Sequence, residues 1–287
     1  MQNRVIGDRT VSAIGLGAME LSVDGRPERA ASIATVHASL DAGVRLIDTA
    51  DAYCLSSVDV GHNEALVADA LRAWPGERDE VLIATKGGHT RGPNGDWAVN
   101  GHPDYLRTAC EASLRQLDVE AIGLYQFHRP DPAVPYADSV GAIKELRDEG
   151  KIVLAGVSNA NVEQIRLAAE ILGDGGLASV QNEFSPRFLS SMDELLLCGE
   201  LGVAFLPWSP LGGMGDASTL GERFPAFLAV AQQRGVSAQQ IALAWELALG
   251  GHVIPIPGCT RPFTAQSSAA AADLVLTADE MALLTVS

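Results

Sequence analysis

Three β-branched segments of this chain are each followed by charged or ring-bearing polar residues. These residues are Asp48, Tyr53 shortly after it, Lys86 and His128. Singly, each has an ordinary structural explanation, such as a loop cap or a solvated strand end. Together they suit proton transfer, because a buried ammonium at hydrogen-bond distance favours the phenolate form of a tyrosine and lowers its pKa. We therefore predict that Asp48 keeps Lys86 charged and that Lys86 makes Tyr53 a stronger acid.

His128 would add a hydrogen-bond donor to this group. Such a donor acts on a substrate oxygen that gains negative charge during the reaction. The set then has an acid and an oxyanion site, and it needs neither a nucleophile nor a metal. Side chains cannot supply a hydride, so a nicotinamide cofactor would complete the group. The four cysteines show no metal-ligand spacing, so we expect no metal site.

Polar and aromatic residues after later β-branched segments suit a flat ring that carries an amide. Ser158, Asn159 and Gln181 offer hydrogen-bonding groups for a carboxamide, and Trp208 offers a face for stacking. Near the end of the chain, backbone amides and the Arg261 guanidinium meet at the start of a predicted helix, which favours phosphate. The predicted cofactor residues are Ser158, Asn159, Gln181, Trp208, Ser209, Pro210, Leu211, Gly212, Gly258, Thr260 and Arg261.

The elements that must position these residues alternate regularly. Short β-branched runs and stretches of helical periodicity follow one another from Val11 onward. Predicted strands are 14–17, 44–48, 81–85, 122–127, 153–157, 179–182, 203–208 and 252–256; predicted helices are 28–42, 63–73, 103–117, 136–149, 162–171, 190–201, 223–234, 238–249 and 262–272.

Eight βα units predict an α/β fold, a (β/α)8 TIM barrel spanning residues 1–287 as a single domain. A hairpin over residues 5–11 is expected to cap the lower mouth of the barrel. The carboxyl ends of barrel strands converge on one mouth, which would bring the polar residues together. Gly15-Leu16-Gly17 begins like a dinucleotide fingerprint, but Glu20 stands where a third small residue belongs, so we reject a Rossmann domain.

The formal net charge is −16, which is the wrong sign for a protein that binds nucleic acid or an anionic membrane surface. No apolar run reaches the roughly 20 residues of a membrane span. The first residues do not resemble a secretion signal, and four widely spaced cysteines suit reduced thiols. We expect a cytoplasmic protein that acts on a small molecule, and the sequence leaves its oligomeric state open.

At these residues the sequence resembles the aldo-keto reductase superfamily over almost its whole length. The segments that carry the resemblance are Gly15-Leu16-Gly17-Ala18-Met19, Leu46-Ile47-Asp48-Thr49-Ala50-Asp51-Ala52-Tyr53, Thr85-Lys86, Gln126-Phe127-His128, Gly156-Val157-Ser158-Asn159, Val180-Gln181-Asn182-Glu183-Phe184, Trp208-Ser209-Pro210-Leu211-Gly212 and Ile256-Pro257-Gly258. The carboxyl half is most similar to bacterial, pyridoxal-reductase-like members.

The resemblance implies a barrel that binds NADPH across the strand ends and reduces aldehydes or ketones without a metal. It also implies that Asp48, Tyr53, Lys86 and His128 form the catalytic tetrad, with Tyr53 as the proton donor. The family commonly has Arg-x-x-Glu-Asn in the last helix, whereas this chain has Thr264-Ala265-Gln266-Ser267-Ser268. We expect Arg261 to hold the 2′-phosphate instead, and NADH is the alternative cofactor.

The expected substrate pocket is lined by Met19, Glu20, Trp97, Arg129 and Phe184, which suit several polar carbonyl substrates. Two other functions fit part of the pattern. Lys86 could form a Schiff base in an aldolase, although that leaves Asp48 and Tyr53 without a joint purpose. The barrel could also sense nicotinamide redox state for a partner protein.

Overall fold

A ring of parallel strands lies at the centre of the computed structural model, which describes residues 1–213 and 215–284. The strands are β1 (Asn3–Ile6), β2 (Arg9–Ser12), β3 (Leu16–Gly17), β4 (Leu46–Asp48), β5 (Leu82–Gly87), β6 (His89–Arg91), β7 (Trp97–Val99), β8 (Ile122–Phe127), β9 (Ile152–Ser158), β10 (Leu177–Gln181) and β11 (Ala204–Phe205). The ring runs in the order β3, β4, β5, β8, β9, β10 and β11. Residues that follow these strands therefore share one mouth.

The last predicted strand, 252–256, closes the ring without forming a regular strand. On one side, the Ile254 N–H donates to the Phe205 carbonyl at 2.9 Å. On the other side, the Gly17 N–H donates to the Pro257 carbonyl at 3.0 Å. Pro255 and Pro257, in the closing segment 252–257, carry no N–H, which interrupts the ladder. The predicted α/β barrel is confirmed, and the missing regular strand has this local cause.

The predicted amino-terminal hairpin is present as the antiparallel pair β1 and β2, joined by a turn with Gly7 at φ +59°. Ile6 and Val11 point into the lower end of the ring. There they join an apolar cluster with strand residues and the closing segment: Leu46, Leu82, Ala84, Leu124, Ala178, Ala204, Leu206, Ile254 and Ile256. The hairpin thus fills the end of the barrel opposite the functional residues.

Helices surround the ring. They are α1 (Arg29–Asp41), α2 (His62–Ala73), α3 (Pro103–Leu117), α4 (Tyr136–Asp148), α5 (Val162–Leu172), α6 (Met192–Leu201), α7 (Leu220–Arg223), α8 (Pro225–Arg234), α9 (Ala238–Ala248), α10 (Pro262–Ala270) and α11 (Ala278–Leu283). Their ends follow local signals in the sequence. Gly235 ends α8 at φ +67°, and Ser237 Oγ caps α9 by accepting from the Gln240 N–H at 3.2 Å.

A second hairpin, β6 and β7, follows β5 and pairs His89 with Val99 and Arg91 with Trp97. The sequence pattern predicted only a pocket wall in this stretch, with no strands. The hairpin brings His89, Arg91 and Trp97 to the upper mouth. None of the helices within 1–213 and 215–284 is both long and apolar enough to cross a membrane.

Candidate active site

Lys86 is fully buried near the carboxyl end of β5 and donates three hydrogen bonds. Its Nζ lies 2.5 Å from Asp48 Oδ1, 3.0 Å from the Thr49 carbonyl and 2.9 Å from the Tyr53 hydroxyl. Neighbouring β4 and β5 pair in parallel, which brings the two strand ends together. An ammonium has three protons, so all the donors of Lys86 are in use.

This arrangement keeps Lys86 charged. Burial alone would lower the pKa of Lys86, but Asp48 and Tyr53 outweigh burial and raise it above its ordinary value. Burial also raises the pKa of Tyr53, by more than the charge of Lys86 lowers it. Lys86 thus lowers the pKa of Tyr53 as predicted, but burial outweighs this effect, so the expected fall of the pKa below its ordinary value does not occur. Tyr53 stays protonated, and since its oxygen accepts from Lys86, its own proton is left for another acceptor.

His128 lies beside Tyr53, with ring centroids 5.6 Å apart and an edge-to-face contact. Burial and the nearby charges of Lys86 and Arg129 hold the pKa of His128 well below its usual range, so the ring is neutral. His89 also packs edge-to-face against the His128 ring, with centroids 4.9 Å apart. A neutral imidazole donates one hydrogen bond and carries no extra proton to deliver. His128 is therefore suited to orient a carbonyl oxygen.

Asp48 also connects the Lys86 contacts to the residues predicted to bind a cofactor. Its Oδ2 accepts from Gln181 Nε2 at 2.7 Å. Next to it, Ser158 Oγ donates to the Gln181 carbonyl at 2.7 Å, and Asn159 Nδ2 donates to Ser158 Oγ and to the His128 carbonyl, both at 3.0 Å. These donors bond within the protein. The amide oxygens of Asn159 and Gln181 are the groups left to accept from a ligand, as far as the described residues show.

A cavity of about 760 Å³ opens above these residues at the carboxyl ends of the strands. Such a volume is in the range of cofactor and substrate sites. Predicted residues on its wall are Asp48, Tyr53, His128, Ser158, Asn159, Gln181, Trp208, Ser209, Pro210, Leu211, Gly258, Met19, Glu20, Trp97 and Arg129. Lys86 lies behind this wall and reaches the cavity through Tyr53.

Comparison with known proteins agrees with this geometry. The model of the Aldo/keto reductase family matches residues 13–286. The chain belongs to the aldo/keto reductase family. A Glycine max protein named "Probable aldo-keto reductase 1" is 34% identical over 279 residues, covering 88% of this chain and 78% of that protein. An uncharacterised oxidoreductase of Schizosaccharomyces pombe is 34% identical over 286 residues, covering 97% and 87%. Membership confirms the predicted enzyme class, an oxidoreductase.

Solved structures show the same fold. An aldo/keto reductase from Klebsiella pneumoniae, crystallised with NADP and acetate, is 28% identical with a TM-score of 0.80. The alignment covers 99% of this chain and 94% of that one. A second crystal structure, of an aldo-keto reductase from the same organism with NADPH, has the same identity, TM-score and coverage.

Phe184 does not belong to the pocket of this aldo/keto reductase, which corrects the prediction. Its side chain is fully buried in the core outside the ring. The ring stacks on Trp245 of α9 at a centroid distance of 5.8 Å and meets Phe205 edge-on at 6.1 Å. Phe184 lies beyond the end of β10, and its packing in this core holds the side chain on the helix side, away from the mouth.

Three predicted cofactor residues also lie off the cavity wall: Gly212, Thr260 and Arg261. Arg261 is exposed and precedes α10, where the phosphate end of a cofactor was predicted. His89 and Arg91 also line the cavity, and they belong to the stretch 89–100 that was expected to form a pocket wall. The hairpin that presents them directly follows β5, the strand that carries Lys86.

The wall of the cavity has several features that suit a nicotinamide cofactor. Trp208 Nε1 is buried without a hydrogen-bond partner among the described residues. Asn159 and Ser209 line the cavity at φ +55° and +52°, a strained conformation that is common at functional sites. Gly17 and Gly258 pair across the closure of the ring, and a Cβ at Gly17 would lie 2.7 Å from the Ile256 carbonyl. A cavity lined by glycine backbone, an unpartnered indole N–H and unused amide oxygens fits a nicotinamide dinucleotide.

Proposed function

We propose that this aldo/keto reductase reduces an aldehyde or a ketone to the alcohol with NADPH, and that Tyr53 supplies the proton. The observation that carries the proposal is that Lys86 already uses all three of its N–H donors. Its three N–H groups go to Asp48, Thr49 and Tyr53, so the Tyr53 proton is the one that is free to move into the cavity. The neighbouring His128 is neutral and fits the carbonyl oxygen as a hydrogen-bond donor.

The proposed reaction is balanced by one hydride and one proton. A bound nicotinamide would supply the hydride, with its electron pair, to the carbonyl carbon. Tyr53 transfers its proton to the carbonyl oxygen, which completes the alcohol. The phenolate that remains is stabilised by the ammonium of Lys86 at 2.9 Å until Tyr53 takes a proton from water. Asp48 acts through Lys86 by keeping it charged and in place.

The cofactor would lie along the wall of the cavity. Gln181 and Asn159 offer amide oxygens to the carboxamide, and Trp208 offers a stacking face. NADPH is supported by the Klebsiella pneumoniae relatives that were crystallised with NADP and with NADPH. Within this proposal Arg261 takes the 2′-phosphate, and NADH remains the alternative cofactor.

An aldolase function for Lys86 is less well supported. A Schiff base requires a neutral amine, whereas Asp48 and Tyr53 raise the pKa of Lys86 and occupy its protons. A role as a redox regulator would use the same cofactor groove but would not need Tyr53 to face the cavity. Four buried free cysteines are in keeping with a reducing compartment, so the proposal places the enzyme in the cytoplasm.

The test is the oxidation of NADPH by the purified protein across a panel of aldehydes and ketones, with NADH in parallel. We expect turnover in the wild type and a loss of about 100-fold or more in Tyr53→Phe, because general acid catalysis is removed. Tyr105→Phe is the matched control, since Tyr105 belongs to α3 and does not line the cavity. No turnover, together with borohydride trapping of a carbonyl compound on Lys86, would overturn the proposal in favour of the aldolase.

A further inference from the structure

Arg129 follows His128 beyond the end of β8, and its side chain lines the cavity. Its guanidinium makes no hydrogen bond and no ion pair with the residues described, 1–213 and 215–284. A guanidinium carries its charge at every physiological pH and presents five N–H donors in a fixed fork. The wall beside the proton donor therefore offers an unused positive charge to whatever fills the cavity.

The other basic residues around the cavity are already occupied or uncharged. Lys86 is paired with Asp48. Arg91 donates to the carbonyls of Cys54 and Leu55, each at 3.1 Å, and its guanidinium lies 4.0 Å from the centroid of the Trp97 ring.

The two histidines of the wall do not add charge. Burial lowers the pKa of His89 to about 4 and holds that of His128 well below its usual range. Arg129 is then the cation on this wall that a ligand can use, judged on the described residues. Its position is close to the reacting group, because Arg129 directly follows His128 in the chain and lines the same cavity as Tyr53 and His128.

Negative charge lies on another part of the wall. Glu20 lies beside Gly258: a Cβ added at Gly258 would lie 2.9 Å from the Glu20 Oε1 atom. Both Glu20 and Arg129 line the cavity, and they form no ion pair with each other. The Glu183 carboxylate feels the charge of Arg129, but the two form no ion pair among the described residues. In a protein with a net charge of −16, a half-buried arginine without an ion-pair partner is unusual. The missing partner is most simply part of the ligand.

We propose that the substrate is a carbonyl compound that also carries a carboxylate, an oxo acid, and that Arg129 binds this carboxylate while the carbonyl oxygen faces Tyr53 and His128. The proposal rests on the proposed reductase function and names its substrate class. One guanidinium matches the two oxygens of one carboxylate in a bidentate pair. Arg129 is thus a specificity residue, and it takes no part in the transfer of the proton.

Turnover of a matched pair of aldehydes tests the proposal. The pair is 4-carboxybenzaldehyde and its methyl ester, which differ in charge but have the same reacting group. We expect wild-type kcat/KM to favour the acid by about 10-fold or more, since a hydrogen-bonded charge pair contributes that order of selectivity. In Arg129→Met the ratio should fall to about one, and Arg129→Lys should keep part of it because the charge remains. Arg166→Met, on the exposed face of α5, is the control and should keep the wild-type ratio.

A binding measurement separates failure of this inference from failure of the proposed function. Trp97 and Trp208 line the cavity, so tryptophan fluorescence can report binding of benzoate and of benzamide, its neutral analogue, without turnover. We expect benzoate to bind at least about 10-fold more tightly in the wild type and equally weakly in Arg129→Met. Equal affinity for the two ligands in the wild type, or an unchanged preference in Arg129→Met, would overturn the role of Arg129. Tighter binding of benzoate in a protein without reductase activity would support the role of Arg129 and refute only the proposed reaction.

Discussion

Gln181 Nε2 donates a hydrogen bond to Asp48 Oδ2 at 2.7 Å and so connects the cofactor wall to the ion pair that holds Tyr53. Gln126 donates to the same oxygen at 3.4 Å, but it does not line the cavity. The two glutamines thus share one structural partner and differ in their access to a ligand. This difference makes them a matched pair for mutation.

Gln181→Leu should weaken the binding of NADPH by about 10-fold, because it removes an amide oxygen from the cavity wall as well as a donor to Asp48. Gln126→Leu should leave the Kd for NADPH near the wild-type value. Fluorescence titration of both variants measures the effect. Equal weakening by the two substitutions would mean that Gln181 acts only through Asp48.

Phe184→Ala should destabilise the protein by about 3 to 5 kcal/mol, because it removes a fully buried ring from the contact with Trp245 and Phe205. Trp97→Ala should cost less than about 1 kcal/mol, since this side chain is 44% exposed at the mouth. Urea unfolding measures both values. The substrate KM should change in Trp97→Ala and should stay near the wild-type value in folded Phe184→Ala. A changed KM in Phe184→Ala together with an unchanged KM in Trp97→Ala would show that Phe184 contributes to the pocket after all.

Glu20→Gln should tighten NADPH binding, since it removes a negative charge from the groove beside Gly258. Burial raises the pKa of Glu20, so acidification neutralises it in the wild type sooner than it would an exposed carboxylate. Wild-type affinity should therefore rise as the pH falls from about 7 toward about 5, and the variant should show less of this rise.

Asp24→Asn is the control for Glu20, because Asp24 lines the same cavity but is exposed to water. Its effect on the Kd for NADPH should be smaller, since solvent screens an exposed charge. Weaker binding in Glu20→Gln would show instead that the Glu20 carboxylate accepts hydrogen bonds from the cofactor.

Glu246→Met should stabilise the protein at alkaline pH. Glu246 is fully buried in α9, both of its carboxyl oxygens lack a hydrogen-bond partner among the described residues, and burial raises its pKa well above the ordinary value. A raised pKa in the folded state favours folding at low pH, and this contribution is lost as the pH rises from the unfolded value of about 4.3 through the folded-state pKa.

The gain in free energy of unfolding for Glu246→Met should be about 1 to 3 kcal/mol at a pH of about 8 and smaller at about 5. Glu170→Met, at an exposed position of α5, should show no such dependence on pH. Urea unfolding at several pH values tests this. A loss of stability in Glu246→Met at alkaline pH would indicate that the carboxylate is compensated in the native state.

The sequence was sufficient to predict the barrel and the grouping of Asp48, Tyr53 and Lys86, because alternating elements imply parallel strands whose carboxyl ends converge. It was not sufficient for the direction of the Tyr53 pKa. That direction depends on the balance between burial and the charge of Lys86, and only the three-dimensional structure gives the extent of burial.

The position of Phe184 was also beyond the sequence pattern. A residue soon after a strand end can face the mouth or the helices, and the choice is made by packing against Trp245, which is distant in sequence. The hairpin of β6 and β7 was missed for a different reason. Its strands are three residues long, too short to show alternation against their surroundings.

The closing segment 252–257 meets the first strand of the ring through two backbone hydrogen bonds. The N–H groups of Gly15 and Gly17 donate to the carbonyls of Pro255 and Pro257. Because neither proline has an N–H, no bond runs in the opposite direction from these two residues. Gly17 and Gly258 both line the cavity, so a dinucleotide lying across them would bridge this join. A dinucleotide that binds the closed ring and not the locally opened one stabilises the closed ring by mass action. Cofactor occupancy and local opening of the barrel are thereby linked, and hydrogen exchange at the amides of Gly15 and Gly17 should slow when the groove is filled.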